Sequence, residues 1–416
     1  MPDYVSAGYS FPRTNLLSKE TIQEPFQMRI LAPIPQGTVI PFIHSSMTKA
    51  FRSLGHEVLD FPYPQGMADM RHLKQLASAG PASVFSLDLP LDLSLRNGLK
   101  EFQETLKIPW VIWFVDDPEG FDFPNCCDPN WTVIFCWDGE ITRQISADGS
   151  WKGIPPIHLP LASDPEVFYP EGDGLPLLFP GGVFIGSTAH PNRFFDEAIL
   201  NSPGFEESVS TLWEGWKADL SQVAQDLVWG FLQGKTGIGP STLKKDPLAR
   251  LWAHSTAYAL GRRKRREIIS TVIGRGGGVF GDREWEQAVG NIYRGEVIYG
   301  EKLRQIYLAS AFVLETRQSQ CRTGLTQRVF DANACGIPVL AEYSPELDEC
   351  FDPREEIFSF RTINESLERK KTILTFPKQS PQALRARNRV LAQHTYRHRA
   401  VRILEAIQRF FAASRA

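Results

Sequence analysis

The sequence predicts an α/β protein built from two doubly wound domains that face each other across a cleft. Three observations predict it. Short apolar runs alternate with amphipathic helical segments from Gln27 onward, a stretch rich in Pro and Gly interrupts them at 163–182, and a second alternation follows. Short buried strands separated by helices are typical of parallel sheets covered on both faces. Ligands of such sheets bind at the carboxyl ends of the strands.

The first alternation predicts six strands, at 28–34, 56–62, 83–89, 110–117, 131–138 and 157–162. Helices are predicted between them, at 41–55, 68–79, 95–107 and 140–147. Turn residues and Gly or Pro bound each run, as expected of strands and helices joined by short loops. We therefore predict a leader at 1–26 and a first domain at 27–170.

The second alternation predicts strands at 183–187, within 272–281, and at 295–300, 312–316 and 337–342. A helical insertion occupies about 191–269. We predict a second domain at 171–390 and a C-terminal helix at 391–416 that packs across both domains. The "GRGGG" glycines at 274–278 lack the G-x-G-x-x-G spacing and the following helix of a dinucleotide-binding turn, so they predict a flexible loop.

Composition excludes several classes of protein. The chain has 416 residues, 42% hydrophobic and 22% charged, which is normal for two or three globular domains. A net charge of −3 gives no global field that favours nucleic acid or membrane. Two basic stretches, "RRKRR" at 262–266 and the arginine-rich 385–416, indicate either solvated helix faces or contacts with an anion.

The N-terminus lacks the apolar core of a signal peptide, and no apolar run approaches the roughly 20 residues of a transmembrane helix. The six cysteines include no C-x-x-C pair, which predicts reduced thiols in a cytoplasmic protein rather than a disulfide framework or a zinc site. His394 and His398 stand at i,i+4 but lack a nearby acid, so no metal site is predicted there.

The stretch "RTGLTQRVFDANACGIPVL" (322–340) reads as a loop, a short helix and a buried strand. Leu325, Val329 and Ala332 share the apolar face of the helix, while Arg328 and Asp331 lie on the other side. The free N–H groups at the start of a helix bind anions, and a diphosphate suits them. The arginines that could add charge-assisted bonds are Arg317, Arg322 and Arg328.

One alternative to a ligand site remains for this part of the chain. The helix could be a surface helix with an Arg328–Asp331 pair at i,i+3, which contributes a few tenths of a kcal/mol. The threonines near Gly324 are expected to cap the start of the helix.

Candidate acids and bases lie at the predicted sheet edges. Asp116 and Asp117 end a strand, so one of them could act as a general base, or both could hold the loop as acids before Pro often do. His44, on the first helix, is a candidate base or a partly exposed helix histidine. At the start of the second domain, Gly186 and Ser187 permit close backbone approach, and Arg193 could reach a phosphate or make a surface pair.

The segment "GEVIYGEKLRQIYLASAFVLETR…RTGLTQRVFDANACGIPVLAEYSPELDECFDPREEIFSF" (295–360) resembles the donor-binding half of the group 1 glycosyltransferases of GT-B fold. Within them it is most similar to the CgeB-like (spore maturation protein) branch. Four other fragments agree with the resemblance and occur in the expected order: "WFVDDPEGFDF" (113–123), "HLPLASDPEVFYP" (158–170), "VFIGS" (183–187) and "HTYRHRA" (394–400).

The resemblance implies a transferase that takes a sugar from a nucleotide sugar and passes it to an unknown acceptor. It implies that the loop before Thr326 grips the diphosphate, that Asp331 faces the sugar or ribose hydroxyls, and that residues 295–300 lie near the nucleobase. The implied donor-binding residues are Gly186, Ser187, Arg193, Tyr299, Arg322, Thr323, Gly324, Leu325, Thr326, Arg328 and Asp331.

One position departs from the family pattern. Many relatives carry two acids eight positions apart that bracket the sugar; Asp331 fills the second position, but Thr323 stands at the first. The chain also has no Asp-x-Asp pair of the kind that holds a metal against the diphosphate, so we predict a reaction that needs no metal or other cofactor. The alternatives are a catalytically degenerate nucleotide-binding or scaffold protein, and a nucleotide-sugar epimerase or hydrolase of the same fold.

Overall fold

The computed structural model of the protein describes residues 27–62, 67–78, 82–88, 99–101, 103–104, 106–118, 123–170, 176–188, 197–376 and 380–413. The predicted leader at 1–26 and Arg193 lie outside these residues, as do parts of the predicted helix at 95–107. No helix in the described part of the chain is long and apolar enough to cross a membrane.

The first unit is a six-stranded parallel sheet in the order β2-β1-β3-β4-β5-β6. The central strands β3, β4 and β5 are buried along their whole length, which explains why they read as continuous apolar runs. The strands are β1 (Arg29–Ile34), β2 (Glu57–Pro62), β3 (Ala82–Leu87), β4 (Trp110–Phe114), β5 (Thr132–Cys136) and β6 (Ile157–His158). The helices are α1 (Ile40–Ser53), α2 (Met67–Ala77), α3 (Phe123–Cys126) and α4 (Gly139–Asp148).

The second unit is a five-stranded parallel sheet in the order β11-β10-β9-β7-β8. Its strands are β7 (Val183–Ile185), β8 (Gly278–Phe280), β9 (Val313–Glu315), β10 (Val339–Glu342) and β11 (Phe358–Phe360). Its helices are α5 (Glu197–Leu200), α6 (Phe205–Trp216), α7 (Ala224–Thr236), α8 (Pro240–Leu243), α9 (Pro247–Val272), α10 (Glu284–Val289), α11 (Glu301–Leu308), α12 (Gln327–Ala334), α13 (Pro345–Cys350), α14 (Ile363–Ile373) and α15 (Pro381–Gln393), with a 3-10 turn at Gly290–Ile292.

The last helix, α16 (Tyr396–Ala413), returns to the first unit. It packs against α1, and its Phe410 ring lies 5.7 Å from the ring of Trp131. Near its start, the Arg399 guanidinium donates to the carbonyl oxygens of Pro160 (2.6 Å) and Leu161 (2.7 Å). The chain end therefore ties the connection between the two sheets to the first sheet. The sheet change falls between β6 and β7, and the domain boundary near residue 170 stays a prediction.

Two sequence predictions differ from the observed elements, and one strand was not predicted. Residues 295–300 are an irregular segment that ends in a turn at 299–300 rather than a strand. The predicted strand at 157–162 is only two residues long, and β11 was not predicted. Residues 274–278 include a turn in which the Gly277 N–H donates to Gly274 O (3.0 Å) and the Gly181 N–H to Gly276 O (3.1 Å), while the flexibility of this loop stays a prediction.

The basic run at 262–266 divides between two sides of α9. Lys264 and Arg265 are buried: the Lys264 ammonium lies 2.8 Å from the Glu342 carboxylate, and Arg265 donates to the Ser187 carbonyl oxygen at 2.5 Å. Burial lowers the pKa of Lys264 to about 8. The prediction of a solvated face was therefore wrong for these two residues, because α9 packs this side against the second sheet. Arg262 and Arg263 instead pair with Glu284 and Glu206.

Candidate functional site

The carboxyl ends of the two sheets meet along the segment Thr316–Thr326, which joins β9 to α12. Two contacts connect this segment to the first unit. Gln320 Nε2 donates to Asp116 Oδ1 at 3.3 Å, and the Arg322 guanidinium lies 3.8 Å from the Asp117 carboxylate. Because strand ends of both parallel sheets lie here, this is the place where a ligand of the two sheets is expected.

Three acids lie together on the first-unit side. Asp88 follows β3, and its Oδ1 accepts hydrogen bonds from the N–H groups of Val115 (2.9 Å) and Asp116 (3.4 Å). Its φ of +54° is rare for a residue with a side chain, and such strained conformations concentrate at functional sites. Burial and the charge of Asp116 raise the pKa of Asp88 to about 7, although the two N–H groups oppose this rise. Asp88, Asp116 and Asp117 therefore form a candidate acid–base group.

On the second-unit side, Arg328 lies beside the end of β7. Its guanidinium pairs with Glu315 and stands over the Phe184 ring, 4.8 Å from the centroid. A Cβ at Gly186 would lie 2.7 Å from this guanidinium, so glycine there lets the guanidinium approach the backbone in its present position. The alternative of an Arg328–Asp331 pair was wrong, because Arg328 points back to β9 rather than along its own helix.

Asp331 was predicted on the polar face of its helix, and this was wrong. The residue is fully buried. Its Oδ1 accepts from the Ser163 hydroxyl (2.8 Å) and from Gln327 Nε2 (3.1 Å), and its Oδ2 accepts from the Tyr299 hydroxyl (2.6 Å). Burial raises the pKa of Asp331 to about 7, against the effect of these three hydrogen bonds. At Asp331 the helix does not face solvent, because the connection between the two sheets and the segment 295–300 cover it.

Arg317 and the helix cap also differ from expectation. Arg317 is buried, where its guanidinium lies 3.0 Å from the Glu342 carboxylate and donates to the carbonyl oxygen of Arg322 at 2.6 Å. It is therefore part of the support for the loop and not an anion contact. Thr326 occupies the N-cap position of α12, but its side chain makes no capping hydrogen bond. The first N–H groups of α12 have no partner within the helix, as in any helix.

The three residues before Leu325 face a carboxylate from the first unit. The N–H groups of Arg322, Thr323 and Gly324 donate to Asp138 Oδ2 at 2.8, 2.8 and 2.7 Å. These groups are therefore engaged within the protein. The first turn of α12, next to Arg328 and Gly186, is the remaining part of the predicted diphosphate loop.

Other predicted residues lie as follows. Leu325 is buried, and Ser187 Oγ accepts from Gln318 Nε2 at 3.1 Å. His44 is buried rather than partly exposed, since α1 packs it toward β2, where its Nε2 lies 2.9 Å from the Asp60 carboxylate. Burial lowers the pKa of His44, although Asp60 acts in the opposite direction.

His394 and His398 are both engaged in contacts within the protein. His394 is buried with its Nε2 3.0 Å from Cys350 O, and His398 Nδ1 lies 2.7 Å from the Thr395 hydroxyl. In the described ranges, no three His, Cys, Asp or Glu side chains are grouped so as to hold a metal ion. All six cysteines are buried, and none of them forms a disulfide.

The chain is similar to known proteins both in sequence and in structure. Residues 261–405 match the model of a family described as glycosyl transferase-like. An alpha-glucosyltransferase solved in complex with UDP is similar to 92% of this chain over 99% of its own, with a TM-score of 0.55 and 10% identity. Another structure of an alpha-glucosyltransferase, with UDP and a 13-mer DNA, covers 92% of this chain and 98% of its own at a TM-score of 0.53 and 13% identity.

The Anabaena protein HepE in complex with UDP is similar over 92% of this chain and 99% of its own, with a TM-score of 0.51 and 12% identity. The chain has the GT-B fold. No curated protein matches its sequence. The glycosyl transferase-like region covers α12 and the loop before it, so the family match and the cleft geometry concern the same residues.

Sequence reasoning missed three acids of this region. Asp88 was predicted inside or near a strand end, but its left-handed φ has no signal in the sequence. Asp138 precedes a predicted helix, a typical N-cap position, so its capping of Ile141 was detectable in principle. Its contacts with residues 322–324, and those of Glu346 with Gly139 and His158, join distant parts of the chain and leave no local pattern.

Proposed function

We propose that the protein is a glycosyltransferase that moves a sugar from a nucleoside diphosphate sugar to an acceptor, without a metal ion. The observation that supports this most is that the loop leading to Arg328 and the α12 N-terminus contacts the acid group of the first unit, through Gln320 with Asp116 and Arg322 with Asp117. The glycosyl transferase-like match and the GT-B fold support the same reaction class. The sequence resemblance favours a CgeB-like enzyme, which has an unknown acceptor.

On the donor side, the bond to the diphosphate breaks and negative charge accumulates on the leaving phosphate. Backbone N–H groups and the dipole at the start of α12 can stabilise that charge, as helix N-termini do for phosphates. Arg328 adds a guanidinium held in place by Glu315 and the Phe184 ring. Because similar folds are solved with UDP, a uridine nucleotide is the first donor to test.

On the acceptor side, the attacking hydroxyl must lose a proton as the bond to the sugar forms. A carboxylate with a pKa near the working pH can accept that proton. Asp88 has a pKa raised to about 7 by burial and by Asp116, so it is the first base to test, with Asp116 and Asp117 beside it. His44 is directed toward Asp60 and is a weaker candidate.

A nucleotide-binding protein without transferase activity is the second candidate. Two observations favour it: Thr323 replaces the first acid of the family pattern, and both oxygens of Asp331 are engaged by Ser163, Gln327 and Tyr299. Such a protein would bind a nucleoside diphosphate at α12 and release no product.

The test is to incubate the full chain with a panel of nucleotide sugars, with and without EDTA, and to measure free nucleotide and sugar. Candidate acceptors, including glycans, peptides, small alcohols and DNA, are then added. Acceptor-dependent nucleotide release that persists in EDTA supports the proposal. Release of free sugar without an acceptor identifies a hydrolase, binding without release identifies the second candidate, and release only with a divalent ion contradicts metal independence.

Arg328→Ala sharpens this test. We expect the binding free energy of a nucleoside diphosphate to become less favourable by about 1.5–3 kcal/mol, because a charge-assisted hydrogen bond is lost. Isothermal titration calorimetry with UDP measures the change. Arg304→Ala is the matched control: it removes another largely buried arginine, which is paired with Glu301 on α11. Equal loss in both variants would show that Arg328 only stabilises the fold.

The six buried thiols, none in a disulfide, favour a reducing compartment, and we place the reaction in the cytoplasm. Fractionation of cells that express the chain, with detection in the soluble and membrane fractions, checks this placement.

A further inference from the structure

A carboxylate of the first unit is enclosed by the backbone of the second. Asp138 lies between β5 and α4 and is fully buried. Its Oδ2 accepts the N–H groups of three consecutive residues, Arg322, Thr323 and Gly324, at 2.7–2.8 Å. Its Oδ1 accepts the N–H of Ile141 at 3.1 Å, which caps α4. One acid therefore caps a helix in its own unit and orders a loop in the other.

A second carboxylate reinforces this contact from the opposite side. Glu346 of α13 is almost fully buried; its Oε1 accepts the Gly139 N–H (2.7 Å) and the Thr323 hydroxyl (2.8 Å), and its Oε2 lies 3.1 Å from His158 Nε2. The Thr323 hydroxyl in turn accepts the Glu140 N–H at 3.0 Å. We call Asp138, residues 322–324, Glu346 and His158, with these bonds, the Asp138 cluster.

The loop packs tightly against the first unit at Gly324. Gly324 lies against the Trp137 ring, and a Cβ at Gly324 would stand 2.6 Å from that ring. Any residue larger than glycine would have to push the loop away from the first unit. The position of the loop is therefore set jointly by polar and steric contacts with the first unit.

The loop that Asp138 holds carries two parts of the candidate active site. Arg322 at its start faces Asp117 of the acid group, and Thr326, two residues beyond Gly324, is the N-cap of α12. The N–H bonds of Asp138 therefore fix the backbone from which both Arg322 and the first turn of α12 extend. If the first unit moved away, the loop would lose three charge-assisted bonds at once.

We propose that Asp138 is a positioning residue that makes the geometry of the donor site depend on contact between the two units. With the units together, the 322–324 loop holds Arg322 and the α12 N-terminus in place; with the units apart, both are released. This rests on the proposed glycosyltransferase function. It explains why a buried acid of the first unit is bonded to the backbone of the second unit beside the site.

The test compares Asp138→Asn with the parent. The amide keeps the size of the side chain, but it loses the charge and presents an N–H₂ group to backbone donors. We expect a larger radius of gyration by small-angle X-ray scattering without nucleotide, UDP affinity at least about tenfold weaker, and kcat lower by a similar factor. Asp246→Asn is the matched control, because Asp246 caps α9 through the N–H groups of Leu248 and Ala249 in the second unit alone.

A parent-like radius of gyration, UDP affinity and kcat in a folded Asp138→Asn protein would overturn the proposal and leave Asp138 as a helix cap. If that variant does not fold, Gly324→Ala replaces it, since its methyl group meets the Trp137 ring and removes no hydrogen bond. For Gly324→Ala we expect the same larger radius of gyration, weaker UDP affinity and lower kcat. Parent-like values of all three would overturn the proposal. If the parent neither binds UDP nor turns over any donor, the proposed function fails, and the radius of gyration alone judges whether Asp138 holds the units together.

Discussion

Two buried aspartates join distant parts of this molecule, and they are held by different kinds of donor. Asp138 accepts four backbone N–H groups, which cannot rotate away without moving the chain. Within the described part of the chain, Asp331 accepts only side-chain donors, from Ser163, Tyr299 and Gln327, which we call with it the Asp331 cluster. A hydroxyl can rotate and can also accept a hydrogen bond. The Asp138 cluster is therefore suited to fixing geometry, while the Asp331 cluster tolerates a change of protonation.

The largest expected difference between the two clusters is in the pH dependence of stability, and it arises from Asp331. Burial raises its pKa to about 7 from an ordinary 3.8, so the unfolded chain loses this proton first as pH rises. The unfolded state binds fewer protons between pH 4 and 7, and the free energy of unfolding falls across that window by about 4 kcal/mol, then levels off. Asp331→Asn cannot titrate, so we expect its fall between pH 4 and 7 to be smaller by that amount.

Denaturant unfolding at several pH values measures this difference. Asp88 has a pKa raised to about 7 as well and contributes a fall in the same window to both proteins, so only the difference between parent and variant reports on Asp331. Parallel pH profiles for the two proteins would show that Asp331 ionises as freely in the folded chain as in the unfolded one.

Tyr299→Phe tests whether the side-chain donors control the Asp331 carboxylate. The Tyr299 hydroxyl donates to Oδ2 and lowers the pKa of Asp331, opposing burial. Its removal should raise this pKa further and cost roughly 1–3 kcal/mol above pH 8, where the carboxylate is charged, and less at pH 5. Unfolding curves at the two pH values give the result. Tyr293→Phe is the control, since that hydroxyl donates to Gly281 O instead, and an equal, pH-independent loss in both would contradict the role of Tyr299.

The sequence predicted those strands that depend on a local pattern of apolar residues. The apolar runs at Trp110–Phe114 and Thr132–Cys136 are central strands as expected, because a strand buried on both faces must be apolar throughout. The segment 295–300 was predicted as a strand too, but it hydrogen-bonds beside β8 only at its start, where Gly295 O accepts the Gly281 N–H, and a single sequence does not show where pairing stops. The same limit hid β11, whose three residues are too few to show a period.

Site prediction selected the loop between β9 and α12, which lies at the sheet edges, but it placed Asp331 in a different environment from the one observed. Helical spacing placed Asp331 opposite Val329 and Ala332, and the spacing was right. The error lay in assuming that the opposite face meets solvent, whereas Ser163 from the connection and Tyr299 from a turn cover it. Asp138 was invisible as a partner of residues 322–324 because some 185 residues separate them.

The smallest expected effect concerns His158, the titratable member of the Asp138 cluster. Burial alone would lower the pKa of His158, but the hydrogen bond and charge of Glu346 raise it above 6.5 overall. Its contribution to stability is therefore fully present below pH 6.5 and is lost as pH rises through the raised pKa, a higher window than that of Asp331. Since the His158 side chain is 26% exposed, we expect His158→Gln to cost only about 1 kcal/mol at pH 5.5 and almost nothing at pH 9.

Melting temperatures of parent and His158→Gln across this range measure the effect, and His56→Gln gives a control of opposite sign. Burial lowers the pKa of His56, and its Nδ1 has no hydrogen-bond partner among the described residues, so protonation on acidification destabilises the parent there. His56→Gln should therefore gain stability relative to the parent at pH 5.5, where His158→Gln loses it. A loss in His158→Gln that is the same at pH 5.5 and at pH 9 would mean that the Glu346 contact does not hold His158 in its charged form. The Asp138 cluster would then respond to pH through no group that we have identified, and its role would be to fix geometry alone.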